Sequence, residues 1–181
     1  VFRNKGPLAI FTGMVLFSIL AAPLLRMLPL FVSEVYHAKS NVFGMMLALM
    51  GLGAVGGGLA MKLVPTWYPK HHLIPLSISL GGISILLFSA TSNVYLAGLW
   101  MVFCGAFWLW SFNSSMAAMQ LLVSDAMRGR VLAVCNTAVF GAMPIGSVLA
   151  AYIAEAAAGR DPTGNPTALG VQIGVGSLAA V

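Results

Sequence analysis

The sequence predicts an all-α membrane protein, a polytopic bundle of transmembrane helices. Hydrophobic residues make up 60% of its 181 residues and charged residues only 7%, whereas a soluble domain carries roughly 25% charged residues. The apolar residues gather into runs close to the roughly 20 residues that a helix needs to cross a bilayer. These runs are much longer than a barrel strand of about 10 residues and do not alternate apolar with polar side chains, which excludes a barrel.

Short polar segments divide the chain into successive spans. The runs predict five helices and an incomplete sixth, at residues 8–31, 42–64, 73–90, 94–123, 131–158 and 168–181. The sixth run is too short to cross a bilayer alone. We therefore expect residues 1–181 to be one unit of a longer protein.

Lysine and arginine are distributed unevenly over the two sides that these helices define. If the first residue is cytoplasmic, the cytoplasmic side holds six of the nine basic residues: Arg3, Lys5, Lys62, Lys70, Arg128 and Arg130. The opposite side holds only Lys39 and Arg160. Because positive loops stay inside, the asymmetry predicts a cytoplasmic N-terminus.

Two short matches indicate an internal repeat. Phe-Val-Ser-Glu at 31–34 resembles Leu-Val-Ser-Asp at 122–125, and Gly53-Ala54 with Gly58 resembles Gly141-Ala142 with Gly146. Chance matches in so apolar a chain are the alternative. If the repeat holds, three helices are followed by three more of opposite orientation, as in many secondary transporters.

Small residues follow one face of the second and fifth helices. Gly53 and Gly57 form a GxxxG pair, and the fifth helix carries Ala142, Gly146 and Ala150 at four-residue spacing. Such faces allow the backbones of neighbouring helices to approach closely. Bending at these positions is the alternative, and the two roles are compatible.

Arg26 is the one charged residue well inside a predicted span. A charge at the bilayer centre costs about 2.5–3.5 kcal/mol on insertion scales, so such residues often mark a functional site. One interpretation is that its long side chain reaches the headgroups. The other is that it faces a cavity and binds an anionic substrate group, with Pro23 and Pro29 freeing backbone carbonyls nearby.

The fourth helix offers a second candidate face. Trp110 and Asn113 share one side of it at helical spacing, and Phe107 lies beside them. Aromatic and amide groups suit a cavity for a partly apolar substrate. Interhelical hydrogen bonding by Asn113 and plain packing of the rings are the alternative.

The segment 124–130 is the sharpest local signal and is predicted to be a loop. Asp125 lies three residues before Arg128 and is able to pair with it, while Arg130 follows Gly129, which permits a tight turn. An acidic residue also suits a helix N-terminus. Positive-inside charge alone would explain the arginines but not Asp125.

The sequence offers little support for an enzyme, a metal site or a nucleic-acid-binding protein. The three histidines lie in loops without an acid or serine at matching depth, so we expect neither an enzyme nor a metal site nor a cofactor. Cys104 and Cys135 lie in apolar runs without metal-ligand spacing. The net charge of +5 comes from scattered residues, which argues against a nucleic-acid partner and favours the surface of the lipid bilayer.

The order of these motifs resembles a known family. The string LPLFVSE, then GLGAVGGG, a basic loop, and VSDAMRGRVLAV followed by Pro144 and Gly146 resembles the C-terminal half of a major facilitator superfamily transporter. The similar branch is that of the enterobactin-exporter-like efflux proteins. The RGRV run with Asp125 upstream is the most specific part.

The resemblance implies that the runs are helices seven to twelve of a bacterial inner-membrane protein. It implies that the first and fourth runs line a central cavity, which places Arg26, Phe107, Trp110 and Asn113 towards a small-molecule substrate. It also implies that the small-residue stripes of the second and fifth runs face a missing N-terminal half, and that Asp125, Arg128 and Arg130 help to close the cytoplasmic side. The loop from Lys62 to Pro65 departs from the family's usual motif.

The predicted function is secondary active transport, with efflux of drug-like or siderophore-like small molecules by alternating access, of the antiporter type. The alternative is a non-transporting membrane scaffold subunit or a membrane-embedded enzyme. An enzyme needs convergent titratable groups inside the membrane, and the sequence offers none there.

Overall fold

The computed structural model describes residues 5–63 and 73–158, together with 172, 173, 175 and 176. Within them lie five helices that are long and apolar enough to cross a membrane. They are α1 (Lys5–Leu30), α2 (Ser40–Ala60), α3 (Leu73–Ala90), α4 (Val94–Leu122) and α5 (Asp125–Ala158). The basic residues Arg3, Lys70 and Arg160 lie outside the described residues, as does most of the predicted sixth helix.

The helices alternate in direction, so the bundle has two ends. At the Thr91 end, α1 ends, α2 begins and a short turn joins α3 to α4; at the Asp125 end, α4 ends and α5 begins. The turn at the Thr91 end is capped by Asn93, whose side-chain oxygen accepts a hydrogen bond of 2.9 Å from the backbone N–H of Tyr95. This bond satisfies one of the N–H groups that the first turn of α4 leaves free.

The α1 span is longer than predicted because it continues into a π-helix, Phe31–Val35. There the backbone N–H of Tyr36 donates to the carbonyl oxygen of Phe31 over 3.1 Å. Pro29 has no N–H and interrupts the regular bonding just before this segment. The chain therefore stays helical with a wider turn, which an apolar run alone does not predict.

The fifth helix begins at Asp125, so the prediction of a loop over 124–130 and a helix from 131 is wrong. The Arg128 guanidinium lies 2.6 Å from the Asp125 carboxylate one turn earlier, and the Met127 N–H donates to the Ser124 carbonyl over 3.0 Å. The carboxylate also favours the positive end of the helix dipole. These local contacts extend the helix by about two turns, and Gly129 lies within it rather than at a turn.

The predicted span 168–181 is described only in part. Residues 172, 173, 175 and 176 are helical, and Val175 is buried in the core near the Thr91 end. A Cβ atom at Gly176 would lie 2.9 Å from the Ser89 hydroxyl oxygen of α3. This part of the chain therefore packs beside α3.

Glycines decide how the helices pair. A Cβ at Gly53 would overlap the backbone carbonyl of Val102, and one at Gly57 would lie 2.7 Å from the Ala106 Cα, so α2 runs directly along α4. A Cβ at Gly146 would overlap the backbone carbonyl of Ile19. Such close approach is how small residues associate helices in lipid.

The stripes of small residues thus form contacts between helices of this same chain. Ala142 and Ala150 are buried on the same side of α5 as Gly146, and Gly53 and Gly57 face α4. The expectation that these stripes face a missing half is therefore wrong: helices of the same chain occupy them.

The helix pairs follow the three-plus-three repeat. Helix α2 pairs with α4 and α1 pairs with α5, and exchanging α1 with α4 and α2 with α5 converts one pair into the other. The residue matches read from the sequence are not equivalent in space, because a Cβ at Gly141 would meet open space whereas one at Gly53 would overlap α4. The fold is a partial bundle of membrane-spanning helices whose pairing has an internal two-fold relation.

Candidate functional site

A cavity of about 810 Å³ lies towards the Asp125 end of the bundle. Its walls come from the first half of α1, the beginning of α3, the second half of α4 and the middle of α5. The volume falls within the roughly 300–1,000 Å³ that is usual for small-molecule sites. Apolar groups form most of the wall, among them Met14, Phe17, Ile78, Trp108, Phe112 and Met143.

The lining residues with polar side-chain groups are Ser18, Ser111, Ser114, Ser115 and Trp108, and none of the described lining residues carries a charge. Ser18 donates to the backbone carbonyl of Val139 over 2.6 Å and so joins α1 to α5. The Ser114 hydroxyl is buried and has no hydrogen-bond partner among the described residues. Protein atoms enclose the Ser114 oxygen, so this hydroxyl is buried and unsatisfied beside the cavity.

Arg26 lies on the exposed side of α1. No hydrogen bond or ion pair joins its guanidinium to any residue that the structure describes. Pro23 next to it is fully buried, whereas Pro29 is exposed. Arg26 is not among the residues that line the cavity, so within the described chain its charge is available to lipid headgroups, to solvent or to another part of the protein.

The three predicted substrate residues of α4 have different environments. The Trp110 indole N–H donates to the Gly57 carbonyl over 2.5 Å, and the Phe107 ring meets the Trp110 ring edge-on with centroids 5.9 Å apart. Asn113 is exposed on the next turn. The polar end of Trp110 is thus bound to α2, whereas the Asn113 amide is open to its surroundings.

The predicted charged segment forms a surface group at the Asp125 end. Asp125 and Arg128 make the ion pair described above, with both side chains largely exposed, and Arg130 is exposed two residues further on. Exposed pairs of this kind contribute about 0–1 kcal/mol to stability. Their position at the end of two helices is compatible with a contact to another segment.

Sequence reasoning missed the serine-lined cavity. Ser111, Ser114 and Ser115 follow the spacing i, i+3, i+4, which places them on one side of α4. That side turns towards α1 and α3, away from the face of Asn113. This spacing indicates the serine face, but a tryptophan and an amide give the other face of α4 the stronger sequence signal for a binding site.

At the Thr91 end of the bundle, the hydroxyl of Tyr36 joins the ends of two helices. The Tyr36 hydroxyl donates to the Thr91 backbone carbonyl over 2.9 Å, which links the π-helix to the α3–α4 turn. Burial raises the pKa of this phenol to about 12. Within the described residues, no three histidine, cysteine or acidic side chains cluster in a way that would hold a metal ion.

Five apolar helices that associate through glycines around an apolar cavity define a polytopic α-helical membrane protein. The sequence profile of the transmembrane secretion effector family matches residues 8–171. The chain belongs to this family of the major facilitator superfamily. Members of this family are multi-pass membrane transporters and not enzymes.

A curated relative is similar over part of the chain. The staphyloferrin A transporter of Staphylococcus aureus (strain NCTC 8325 / PS 47) is 26% identical over 129 residues, which are 71% of this chain and 32% of the relative. The aligned part thus spans about a third of that relative's length. No solved structure matches the chain.

Proposed function

We propose that this chain is the C-terminal half of a secondary transporter that exports small organic molecules of the drug or siderophore type by alternating access. The family match over residues 8–171 carries the proposal. A relative whose name states that it transports staphyloferrin A supports a siderophore-like substrate. The paired arrangement of α1–α5 and α2–α4 supports rigid-body movement of the bundle, because each pair is locked by glycine contacts.

In this proposal the exposed face of α4 and the exposed side of α1 contact the substrate. Arg26 supplies a positive charge for an anionic group, Asn113 an amide, and Phe107 with Trp110 an aromatic surface. The exposure of Arg26 and Asn113 supports these roles. In the described residues the acids lie towards helix ends, at Glu34, Asp125 and Glu155, so the coupling acids of an antiporter would lie in the N-terminal half.

The proposed setting is the plasma membrane of a bacterium, with the Asp125 end in the cytoplasm. There Asp125, Arg128 and Arg130 would contact the N-terminal half when the cytoplasmic side closes. The N-terminal half would also cover apolar side chains that α2 exposes, including Leu52 and Val55. Cysteine labelling of Ser124→Cys and Ser92→Cys in intact cells tests the orientation: only Ser92→Cys should react with a membrane-impermeant reagent.

Efflux from cells that produce the full-length protein tests the proposal. Cells with the protein should retain less of a transported siderophore or dye than cells without it, and Arg26→Gln or Asn113→Ala should reduce the export rate. Lys39→Gln is the matched control, since Lys39 is an exposed basic residue outside the spans. Unchanged export in both Arg26→Gln and Asn113→Ala would show that the exposed sides of α1 and α4 do not bind the substrate. Absence of export for every tested compound would favour a scaffold subunit.

A further inference from the structure

Two glycine contacts align the helix pairs residue by residue. In the α2–α4 pair, a Cβ at Gly53 would overlap the backbone carbonyl of Val102, and in the α1–α5 pair a Cβ at Gly146 would overlap that of Ile19. Both pairs are parallel, because the two helices of each pair begin at the same end of the bundle. Gly53 is therefore equivalent to Gly146, and Val102 is equivalent to Ile19.

The α2–α4 pair carries a polar contact that is absent from the equivalent position of the α1–α5 pair. Counted along the helices from the two glycine contacts, Trp110 is equivalent to Met27 of α1, and Gly57 is equivalent to Ala150 of α5. Met27 and Ala150 are 3% and 0% exposed, and neither side chain carries a hydrogen-bond donor. The α1–α5 pair thus packs at this level without the hydrogen bond that the Trp110 indole donates to the Gly57 carbonyl. Close packing of the two helices does not by itself require that bond.

The Trp110 bond connects the α4 face that is proposed to contact substrate with the end of α2. The Trp110 ring is half-buried on that face, one turn before the exposed Asn113. Its N–H binds the Gly57 carbonyl, which also accepts the backbone N–H of Met61. At this point α2 tightens into the 3-10 helix Met61–Leu63. A movement of the ring therefore acts on α2 where its helix type changes.

We propose that Trp110 is a positioning residue through which an occupied α4 face sets the conformation of the α2 end. This inference rests on the proposed transport function. A substrate shifts a conformational equilibrium only through interactions that differ between the two states. The Trp110 bond supplies such a difference, because the ring belongs to the substrate face while the N–H is bound to another helix. Asn113, whose amide is exposed, provides the polar contact to the substrate on this face.

Amide hydrogen exchange of the full-length protein in lipid nanodiscs tests the link without any substrate. Trp110→Phe keeps an aromatic ring and removes the N–H. It should speed exchange of the amides at 59–63 about two- to tenfold, the usual effect of one lost hydrogen bond, and leave those at 44–50 unchanged. The control Trp100→Phe should change neither segment. Equal acceleration in both segments would reduce the bond to a contribution to general stability, and no acceleration at 59–63 would show that it does not hold the α2 end; either result overturns the proposal.

Export kinetics in cells with equal amounts of the full-length protein test the functional consequence. The probe is fluorescein, an anionic dye with aromatic rings. Trp110→Phe should lower its maximal export rate about two- to tenfold and leave KM unchanged, because the ring remains; Asn113→Ala should raise KM instead. A raised KM with an unchanged maximal rate in Trp110→Phe would overturn the proposal. An exchange response without export of any tested compound by the wild-type protein would contradict the proposed transport function rather than the link between Trp110 and α2.

Discussion

The indole N–H of Trp110 donates to the carbonyl oxygen of Gly57, which also accepts the backbone N–H of Met61. A carbonyl of α2 is thus shared between its own helix and α4. The contact depends on the missing side chain of Gly57, because the helices meet at Ala106 with no space for a Cβ. One tryptophan therefore links α4 to the point where α2 tightens into the 3-10 helix Met61–Leu63.

Loss of this bond should loosen the α2–α4 pair. We expect Trp110→Phe to lower the free energy of unfolding by about 0.5–1.5 kcal/mol, since the aromatic contact with Phe107 remains while the hydrogen bond is lost. Thermal unfolding in detergent measures the change. Trp100→Phe is the matched control, because Trp100 contacts Phe103 through its ring and donates to no described residue. Equal effects of the two substitutions would contradict the role of the bond.

Two of the three glycines of α5, Gly141 and Gly146, should respond in opposite ways to alanine. A Cβ at Gly146 overlaps the backbone of α1, so Gly146→Ala has to push the helices apart and should lower the yield of folded protein and its thermal stability. Gly141 has open space around it, and Gly141→Ala should raise stability by about 0.5–1 kcal/mol through its helix propensity. Size-exclusion profiles and melting temperatures of the two variants check this. A similar loss in both would show that α5 packs differently.

The Tyr36 phenol should make stability sensitive to alkaline pH. Its pKa is raised from 10.0 to about 12 by burial, so the folded protein keeps a proton that the unfolded chain loses. Its contribution is complete below pH 10 and falls as pH rises from 10 towards 12. Melting temperatures from pH 8 to 11 measure the slope. Tyr36→Phe should flatten it, whereas Tyr95→Phe, at a largely exposed tyrosine, should not.

Breaking the ion pair of Asp125 and Arg128 should affect protein stability and export rate to different extents. We expect Asp125→Asn to lower the free energy of unfolding by less than about 1 kcal/mol, because the pair is exposed. If these groups also hold the cytoplasmic side closed, the same substitution should change the export rate several-fold in cells with equal protein levels. Arg130→Gln removes a charge without breaking the pair and is the comparison. A large stability loss with unchanged export would leave the pair a purely structural role.

Much of the helical architecture was predictable because the bilayer imposes it. The run at 73–90 was predicted with the bounds that α3 has, since a tight polar break on one side and a basic segment on the other leave little choice. The start of α5 was not predictable in this way. Polar residues and Gly129 at 124–130 indicate a loop by composition, but the ion pair and the dipole at Asp125 extend the helix through them.

The candidate sites show the same contrast between features that the sequence predicts and features that it does not. Arg26 stands out in any reading of the sequence because a charge interrupts an apolar run. The Ser114 hydroxyl, which lacks a hydrogen-bond partner, does not stand out in the sequence. Serines in membrane helices usually donate to their own backbone, as Ser84 does. Only the relative rotation of α1, α3 and α4 decides which serines lie beside a cavity, and that rotation depends on glycine contacts between distant parts of the chain.

The bond from Ser18 to Val139 has a consequence for biosynthesis. Its two residues are 121 positions apart, and at a synthesis rate of about 5–20 residues per second α1 precedes this part of α5 by roughly 6–24 s. During that interval the first helix resides in the membrane without its main partner and with a free hydroxyl. The nascent chain is then more exposed to misassembly than after α5 has been made.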